Sequence, residues 1–361
     1  MKTRAAVLRS PEGPFAVEDV ELAPPGSGQI LVRVAGAGVC HTDLLHGEGL
    51  GIAPLPAILG HEGAGVVEAV GDDVEGIAEG DHVVLSFTTC GSCRNCADGH
   101  PAYCDTFLFR NLGGRAMDGT TGVTDAEGAD VSSRFFGQSS LAAHCVADAR
   151  HAVVVDRDLP LELLGPLGCG FLTGAGSVVN SLGVQEGMSV VVTGAGAVGL
   201  AAVMAAKALG AGTIIAVDRH ESRLELAREL GATHTVGADA DLAAEILGIT
   251  AGGADRALDT TGVPAVILAT LASLRMTGVL GMVGAQHGDL VLDGLTPLGK
   301  TITAIFEGDA VPRELIPRLL GWWREGLFPF DRLIETFPLD EIEDAIAASR
   351  SGRVVKPVLV P

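Results

Sequence analysis

Positive charge is scarce in this chain. Lysine and arginine number 24 against 45 aspartates and glutamates, a formal net charge of −21 over 361 residues. A nucleic-acid partner needs a cationic face for its phosphates, so this balance excludes one and equally disfavours an anionic membrane surface. A long unbroken apolar run is also missing. Gly194 to Val217 has the length of a membrane span, but its glycine-rich opening, Lys207 and the Gly-Ala-Gly at 210–212 divide it into strand, helix and strand. Met1-Lys2-Thr3-Arg4 leads straight into a strand-like run without the apolar core of a signal peptide. With no leader expected, seven thiols point to a reducing, cytoplasmic setting.

What the chain has in plenty is glycine. Its 50 glycines follow no collagen-like period and imply tight turns and close backbone approaches. Hydrophobic residues at 47% and charged residues at 19% fit a soluble globular protein long enough for two cores. The first 150 or so residues read as β-rich, with β-branched runs at Ala5–Leu8, Ile30–Val34, Gly65–Val70 and His82–Phe87 separated by turns. From about 170 to 305 strand and helix alternate. Ser189–Thr193, Thr213–Val217, Arg256–Asp259 and Val279–Val283 read as strands, and Ala197–Leu209 and Glu221–Leu230 as helices. Such alternation predicts an α/β doubly wound parallel sheet. Amphipathic helices are expected near Arg313–Arg324 and Leu339–Ser351.

The cysteines fall into two sets. Cys90, Cys93, Cys96 and Cys104 are bunched, with the four ligands of a closed tetrahedral zinc site. The alternative is a pair of disulfides, but short Cys-x-x-Cys steps suit one metal better than two strained bridges. Cys40 and Cys169 stand apart in glycine-bordered segments with His61 between them, the make-up of an open metal site with room for a substrate. Taken singly, a Cys-His pair or a Gly-His-Glu is ordinary packing. Cys145 belongs to neither set and reads as a buried apolar side chain.

Gly194-Ala195-Gly196-Ala197-Val198-Gly199 follows a strand and opens a helix. Gly194 permits the tight turn, Gly196 the approach of a pyrophosphate, and Gly199 the packing of helix on strand, while the helix N-terminus favours the anion. Asp218 ends the second strand, where a carboxylate accepts hydrogen bonds from an adenosine ribose. A carboxylate repels a 2′-phosphate, so NAD is expected over NADP. Arg219 and Arg223 pull the other way, or stack on the adenine.

Val39-Cys40-His41-Thr42-Asp43, Leu59-Gly60-His61-Glu62-Gly63-Ala64-Gly65, the four-cysteine lobe, Gly165-Pro166-Leu167-Gly168-Cys169-Gly170 and the Gly194 fingerprint occur in one order. That order resembles the zinc-dependent medium-chain alcohol dehydrogenases over essentially the whole chain. The resemblance implies a GroES-like catalytic domain (1–170, with a structural-zinc lobe at about 88–106, and again 306–361) interrupted by a Rossmann domain (171–305), with the active site in the cleft. It implies NAD-linked, reversible oxidation of an alcohol to its aldehyde and two zinc ions per chain. Cys40, His61 and Cys169 match the catalytic-zinc ligands, leaving a fourth position for water or the substrate oxygen. Two thiolates leave the metal Lewis acidic enough to favour bound alkoxide, which expels hydride readily. Asp43 matches the carboxylate that orients His61, and Glu62 a residue beside the zinc able to bind it transiently. Thr42 matches the hydroxyl that takes the substrate proton and passes it through the nicotinamide ribose. His41 and Lys356 match basic positions near the pyrophosphate. Considered alone, Thr42 could be a helix N-cap and Asp43 a solvated first-turn acid. One departure stands out: the histidine that usually ends the relay is Leu45 here. His46 is adjacent but points elsewhere if the segment is helical, so the proton leaves through His46 after a local shift, or through water.

Within the family the resemblance is to aryl-alcohol (benzyl alcohol) dehydrogenases. The stretches that carry it are Phe135-Phe136-Gly137-Gln138-Ser139-Ser140, Leu161–Gly170 and Phe306-Glu307-Gly308-Asp309-Ala310-Val311-Pro312. It implies that Phe87 and Leu141 line the substrate channel. Gly51 falls where ethanol-oxidising relatives carry a larger apolar residue, so the pocket is expected to suit an aromatic or allylic primary alcohol of benzyl, cinnamyl or geraniol type. A thiol-cofactor-dependent formaldehyde dehydrogenase shares the zinc pattern but needs basic residues that this acidic chain does not show. A relative that kept the fold and lost the chemistry would not retain all three ligands, Thr42 and Asp218. The lobe and the 110–135 segment resemble dimeric members, which pair through the cofactor domains, here around Gly294–Thr303. A homotetramer is the other possibility.

Overall fold

A computed structural model describes residues 1–238 and 241–361. They form two compact units. One comprises Met1–Cys169, Val311–Pro317 and Asp331–Pro361, the other Gly170–Ala310 and Arg318–Phe330.

The second unit is built on a six-stranded parallel sheet in the order His234–Gly237, Thr213–Asp218, Ser189–Thr193, Ala254–Asp259, Leu274–Met282, Thr301–Ala304. Val190, Val191 and Val192 are at most 1% exposed. They are buried on both faces of the sheet, which is why the strand reads as a continuous apolar run rather than an alternation. On one face Ile215, Ile246, Ile267, Leu271 and Leu280 form a common core. The strand order reverses beside Ser189–Thr193, the place where doubly wound sheets bind ligands beyond their strand ends. This is the Rossmann architecture that the alternation predicts.

The first unit is β-rich, as expected. A seven-stranded sheet runs Ile334–Pro338, Lys356–Val360, Gln29–Gly38, Glu62–Val70, His82–Leu85, Ala152–Val155, with His144–Asp148 also paired to Gln29–Gly38. A four-stranded sheet runs Ala57–Ile58, Lys2–Leu8, Phe15–Leu22, Val123–Thr124. No helix among the described residues is long and apolar enough to cross a membrane.

The sequence reading returns 306–361 as one piece to the first domain, and the contacts do not. The helix Pro312–Arg324 is divided after Pro317, and Arg318–Phe330 packs with the second unit. The cause is an aromatic cluster. The Phe330 ring lies 5.8 Å from Phe171, 5.9 Å from Trp323 and 6.4 Å from Phe328, and Phe171, Phe328 and Phe330 are fully buried. Truncating Phe330 to Ala should therefore destabilise the second unit by about 3–5 kcal/mol. The chain's two tryptophans, Trp322 and Trp323, both lie in this segment. Urea unfolding followed by their fluorescence reads that loss directly, and an unchanged midpoint would refute the assignment.

Candidate active site

Close packing of glycine against strand backbone brings the scattered ligands together. A Cβ on Gly165 would stand 2.0 Å from the Glu62 carbonyl oxygen, and one on Gly168 2.0 Å from that of Leu85. Only glycine lets the turn before Cys169 lie so near both strands. The Ser86 hydroxyl donates to the Gly168 carbonyl at 2.6 Å and fixes the turn. The result places one donor atom each from Cys40, His61, Glu62 and Cys169 within 4.8 Å of one another.

Asp43 organises the group. It is 1% exposed, and its Oδ1 accepts from His61 Nδ1 at 2.8 Å and from the Gly60 amide at 3.0 Å. Its Oδ2 accepts from the Cys40 amide at 2.9 Å, so the carboxylate braces both ligand segments. His61 is 0% exposed and its Nε2 has no hydrogen-bond partner. A buried imidazole nitrogen left so is costly unless something binds it. The Cys169 thiol donates to Cys40 and, with His61 and Lys356, holds Cys40 well below the usual thiol pKa despite burial. Burial works against charge on His61, yet Asp43 and Cys40 outweigh it and raise its pKa. Buried sulfur and carboxylate charge around an unpaired imidazole nitrogen fits a divalent zinc ion.

Lys356 lies against this group. Its ammonium donates to Glu62 Oε1 and Oε2, each at 2.9 Å, and to the Val39 carbonyl at 3.2 Å. All three protons are thus engaged, and the residue is 3% exposed. Burial raises the Glu62 pKa while Lys356 opposes the rise. His41 sits on the surface of the 3-10 helix His41–Glu48, its Nε2 3.4 Å from Glu48 Oε2. Thr42 lies on the same turn with its Oγ1 3.8 Å from Cys40 Sγ, on the ligand side.

His46 is fixed as well. It is 7% exposed and its Nε2 meets the Ala53 carbonyl at 2.9 Å. A Cβ on Gly51 would stand 2.2 Å from the His46 ring. The room at Gly51 is therefore filled by imidazole, which corrects the expectation that this glycine enlarges a substrate pocket. Phe87 and Leu141 are each 1% exposed. Phe87 packs at 5.6 Å on Phe107, and the Leu141 amide donates to the Leu59 carbonyl at 3.1 Å. Two aromatic rings face the His61 imidazole: Phe136 stacks on it at 4.4 Å, and Phe135 meets it edge-on at 5.7 Å. Their sequence stretch is conspicuous, but nothing in it signals contact with His61.

The bunched cysteines also converge, their sulfurs within 4.8 Å. Cys93 and Cys96 sulfurs are 3.5 Å apart and those of Cys90 and Cys96 4.0 Å, far beyond a disulfide bond, and none of the seven cysteines is in one. Amides of Ser92 and Cys93 donate to Cys90 Sγ and lower its pKa to about 6. The Cys90 amide serves Cys104 Sγ at 3.3 Å. Amides aimed at sulfur stabilise thiolates, the form that binds metal. Cys145 is buried and its thiol is pushed up to about 12 by desolvation, consistent with an inert core position.

In the second unit the fingerprint glycines have separate reasons. Gly194 has φ +90°, and a Cβ on Gly199 would stand 1.8 Å from the Gly194 carbonyl oxygen. A Cβ on Gly196 would meet nothing within 4 Å. Protein packing therefore does not require glycine there, whereas a ligand approaching the N-terminus of the helix Ala197–Ala208 would. Val198 is half-buried in that helix's first turn. Asp218 Oδ2 accepts from the Ala195 amide at 2.7 Å and Oδ1 from the His220 amide at 2.9 Å, tying the acid to the glycine turn. Arg219 is exposed and its Nε donates to His220 at 3.0 Å. Arg223 is 9% exposed; burial lowers its pKa and the charge of Asp218 opposes that.

Residues 26–157 match the family described as alcohol dehydrogenase GroES-like domain, and residues 197–322 that described as zinc-binding dehydrogenase. The chain is 48% identical to a geraniol dehydrogenase of Castellaniella defragrans, over all of this chain and 98% of the relative. Among solved structures it resembles a benzyl alcohol dehydrogenase from Acinetobacter calcoaceticus with a TM-score of 0.95 and 41% identity, covering 100% of this chain and 99% of that one. A zinc-binding dehydrogenase from Sinorhizobium meliloti, solved with NADP bound, aligns with a TM-score of 0.82 at 26% identity and full coverage of both chains.

The Lys356–Glu62 pair supplies a direct test. Lys356→Met removes the ammonium bonded to a carboxylate that is 0% exposed, and should cost about 3–5 kcal/mol. The double variant Lys356→Met/Glu62→Gln should recover part of that loss in denaturant melts. Additive losses would show that the two side chains do not act as a pair.

Proposed function

The chain belongs to the zinc-dependent medium-chain alcohol dehydrogenases, and from that premise we propose that it interconverts primary aromatic or allylic alcohols and their aldehydes with NAD. The observation that carries the reading is the buried set of Cys40, His61 and Cys169, with the His61 Nε2 unpartnered and its Nδ1 held by Asp43. A zinc ion held there supplies a Lewis acid that eases ionisation of an alcohol. The protein's share is to aim and to dry the site. Asp43, by accepting the Nδ1–H hydrogen bond, leaves the Nε2 lone pair of His61 facing inward. Lys356 keeps Glu62 hydrogen-bonded and partly neutralised at the edge of the ligand set. Phe135 and Phe136 keep water from the imidazole. Thr42, with its hydroxyl beside the Cys40 sulfur, is placed to take the alcohol proton. Onward release runs through water: Leu45 carries no titratable group, and His46 is wedged against Gly51 with its Nε2 on a carbonyl.

The four-cysteine lobe holds the second, structural zinc. The coenzyme binds over Gly194, Gly196, Val198 and Gly199, with Asp218 toward the ribose. The Asp218 carboxylate supports NAD, because it would repel a 2′-phosphate; of the two nearby arginines Arg223 is buried and Arg219 exposed. The likeness to a geraniol dehydrogenase and a benzyl alcohol dehydrogenase, together with the phenylalanines around His61, supports a conjugated alcohol over ethanol. The measurement is steady-state kinetics on benzyl alcohol, cinnamyl alcohol, geraniol, ethanol and an S-hydroxymethyl thiol, each with NAD and NADP. Expected is a kcat/KM at least about 100-fold higher for the conjugated alcohols than for ethanol, since several methylene equivalents of apolar contact separate them. A preference for ethanol or for the thiol adduct would overturn the substrate assignment, and a preference for NADP the coenzyme assignment.

The edge strand Thr301–Ala304 follows a segment with Val291 75%, Leu295 77% and Leu298 57% exposed, and Met276 is 64% exposed nearby in sequence to the adjacent strand's start. An open sheet edge with this much apolar surface supports pairing into a homodimer. Light scattering on the eluted protein should give the mass of two chains, and Leu295→Asp should shift it to one. A monomeric parent protein would end this assignment.

A further inference from the structure

We propose that Gln138 is a positioning residue for His61, the working part of a clamp formed by residues 135–141; this rests on the reading of His61 as a metal ligand. The strand Glu62–Val70 pairs with Gln29–Gly38 as far as the Gly38–Glu62 position, but its pairing with His82–Leu85 stops at Ala64. One edge of the backbone at residues 61–63 therefore lacks a strand neighbour there. The Gln138 carboxamide, 1% exposed, takes that edge: its nitrogen donates to the His61 carbonyl and its oxygen accepts from the Gly63 amide, each at 3.0 Å. The ladder continues toward Ile58. Ser140 donates its amide to the Gly60 carbonyl at 3.0 Å, Leu141 to Leu59 at 3.1 Å, and the Ser139 hydroxyl to Ile58 at 2.6 Å.

This geometry forces the loop backbone. Phe136, Gly137 and Ser139 have φ of +49°, +68° and +51°, and two of the three are not glycine. Non-glycine residues stay in that region only where their surroundings over-determine them, and such positions cluster at functional sites. The conformation also lays the Phe136 ring on the His61 imidazole at 4.4 Å. Asp43 thus fixes the ring through Nδ1, Phe136 through its face, and Gln138 through the backbone that carries it. A ligand held on three sides gives up little freedom on binding metal, and loss of such outer partners typically weakens a site 10- to 100-fold.

The four-cysteine cluster provides an internal reference. Gln138→Met keeps the side chain's length without its amide. With the zinc-loaded protein and a colorimetric chelator, release should resolve into two phases of one zinc each. Q138M should accelerate the phase assigned to the Cys40–His61–Cys169 set by about 10-fold or more and leave the other unchanged. Gln138→Glu, which keeps the acceptor for Gly63, should fall between the two, and it serves as the test if Q138M does not fold. Equal acceleration of both phases, or none in either, would sink the positioning role. A wild-type protein that releases a single zinc would instead overturn the metal-ligand reading, and the inference with it.

Discussion

Negative charge gathered out of reach of water is the condition that the first unit is built to meet. Asp43 and Glu62 are buried beside the half-buried Cys40, and the Lys356 ammonium is bonded to Glu62. An isolated carboxylate in such a place would take up a proton or unfold the region. Each acid here is instead given donors: the Cys40 and Gly60 amides and His61 Nδ1 for Asp43, and the Lys356 ammonium for Glu62. What remains is one buried imidazole nitrogen without a hydrogen bond, with the Cys40 and Cys169 sulfurs close by. The fold therefore satisfies both carboxylates and leaves open the ring nitrogen that a cation would take. A binding site of this kind is an electrostatic deficit kept open by the packing around it.

The second unit solves a gentler problem by other means. Its ligand end needs amides free to meet an anion, which is what a helix N-terminus and a glycine turn provide without any buried charge. Asp218 accepts the Ala195 and His220 amides and so shapes the turn from its own side. The buried acid in this unit, Asp259, is satisfied by the hydroxyls of Thr193 and Thr261 and the amide of Gly262, which pins the loop that follows its strand. Rigid loops at strand ends, carried by a sheet whose central residues see no solvent, hold the glycine turn ready before any ligand arrives.

Residue type and spacing made the ligands legible, and strand alternation made the second unit so. Ser189–Thr193 and Glu221–Leu230 agree end to end, because apolar content and helix punctuation coincide there. The first unit was harder. Phe15–Leu22 carries little strand signal, since Glu18, Asp19 and Glu21 crowd a strand in which only Val20 and Leu22 are buried. Gln29–Gly38 and Glu62–Val70 run further than their β-branched cores, because glycines sit inside the strands where a Cβ has no room: Gly36 and Gly65 against neighbouring backbone, Gly38 and Gly63 against the side chains of Glu62, Ser140 and Gln138. The clamp at 135–141 left no trace in any period. Its bonds reach residues more than 70 positions away through one amide and a left-handed backbone, and neither has a sequence signature beyond Gly137.

Gly51 and Lys356 show why a residue's role does not travel with its alignment. A small residue at a pocket position implies space only if nothing else occupies it, and here the His46 ring does. A basic residue near a phosphate position implies a phosphate contact only if its protons are available, and those of Lys356 are spent on Glu62 and Val39. The His46 imidazole turns inward and takes the room that Gly51 leaves, reaching the Ala53 carbonyl instead of solvent. The glycine thereby has a packing role: its missing side chain is matched by a buried ring rather than by open space.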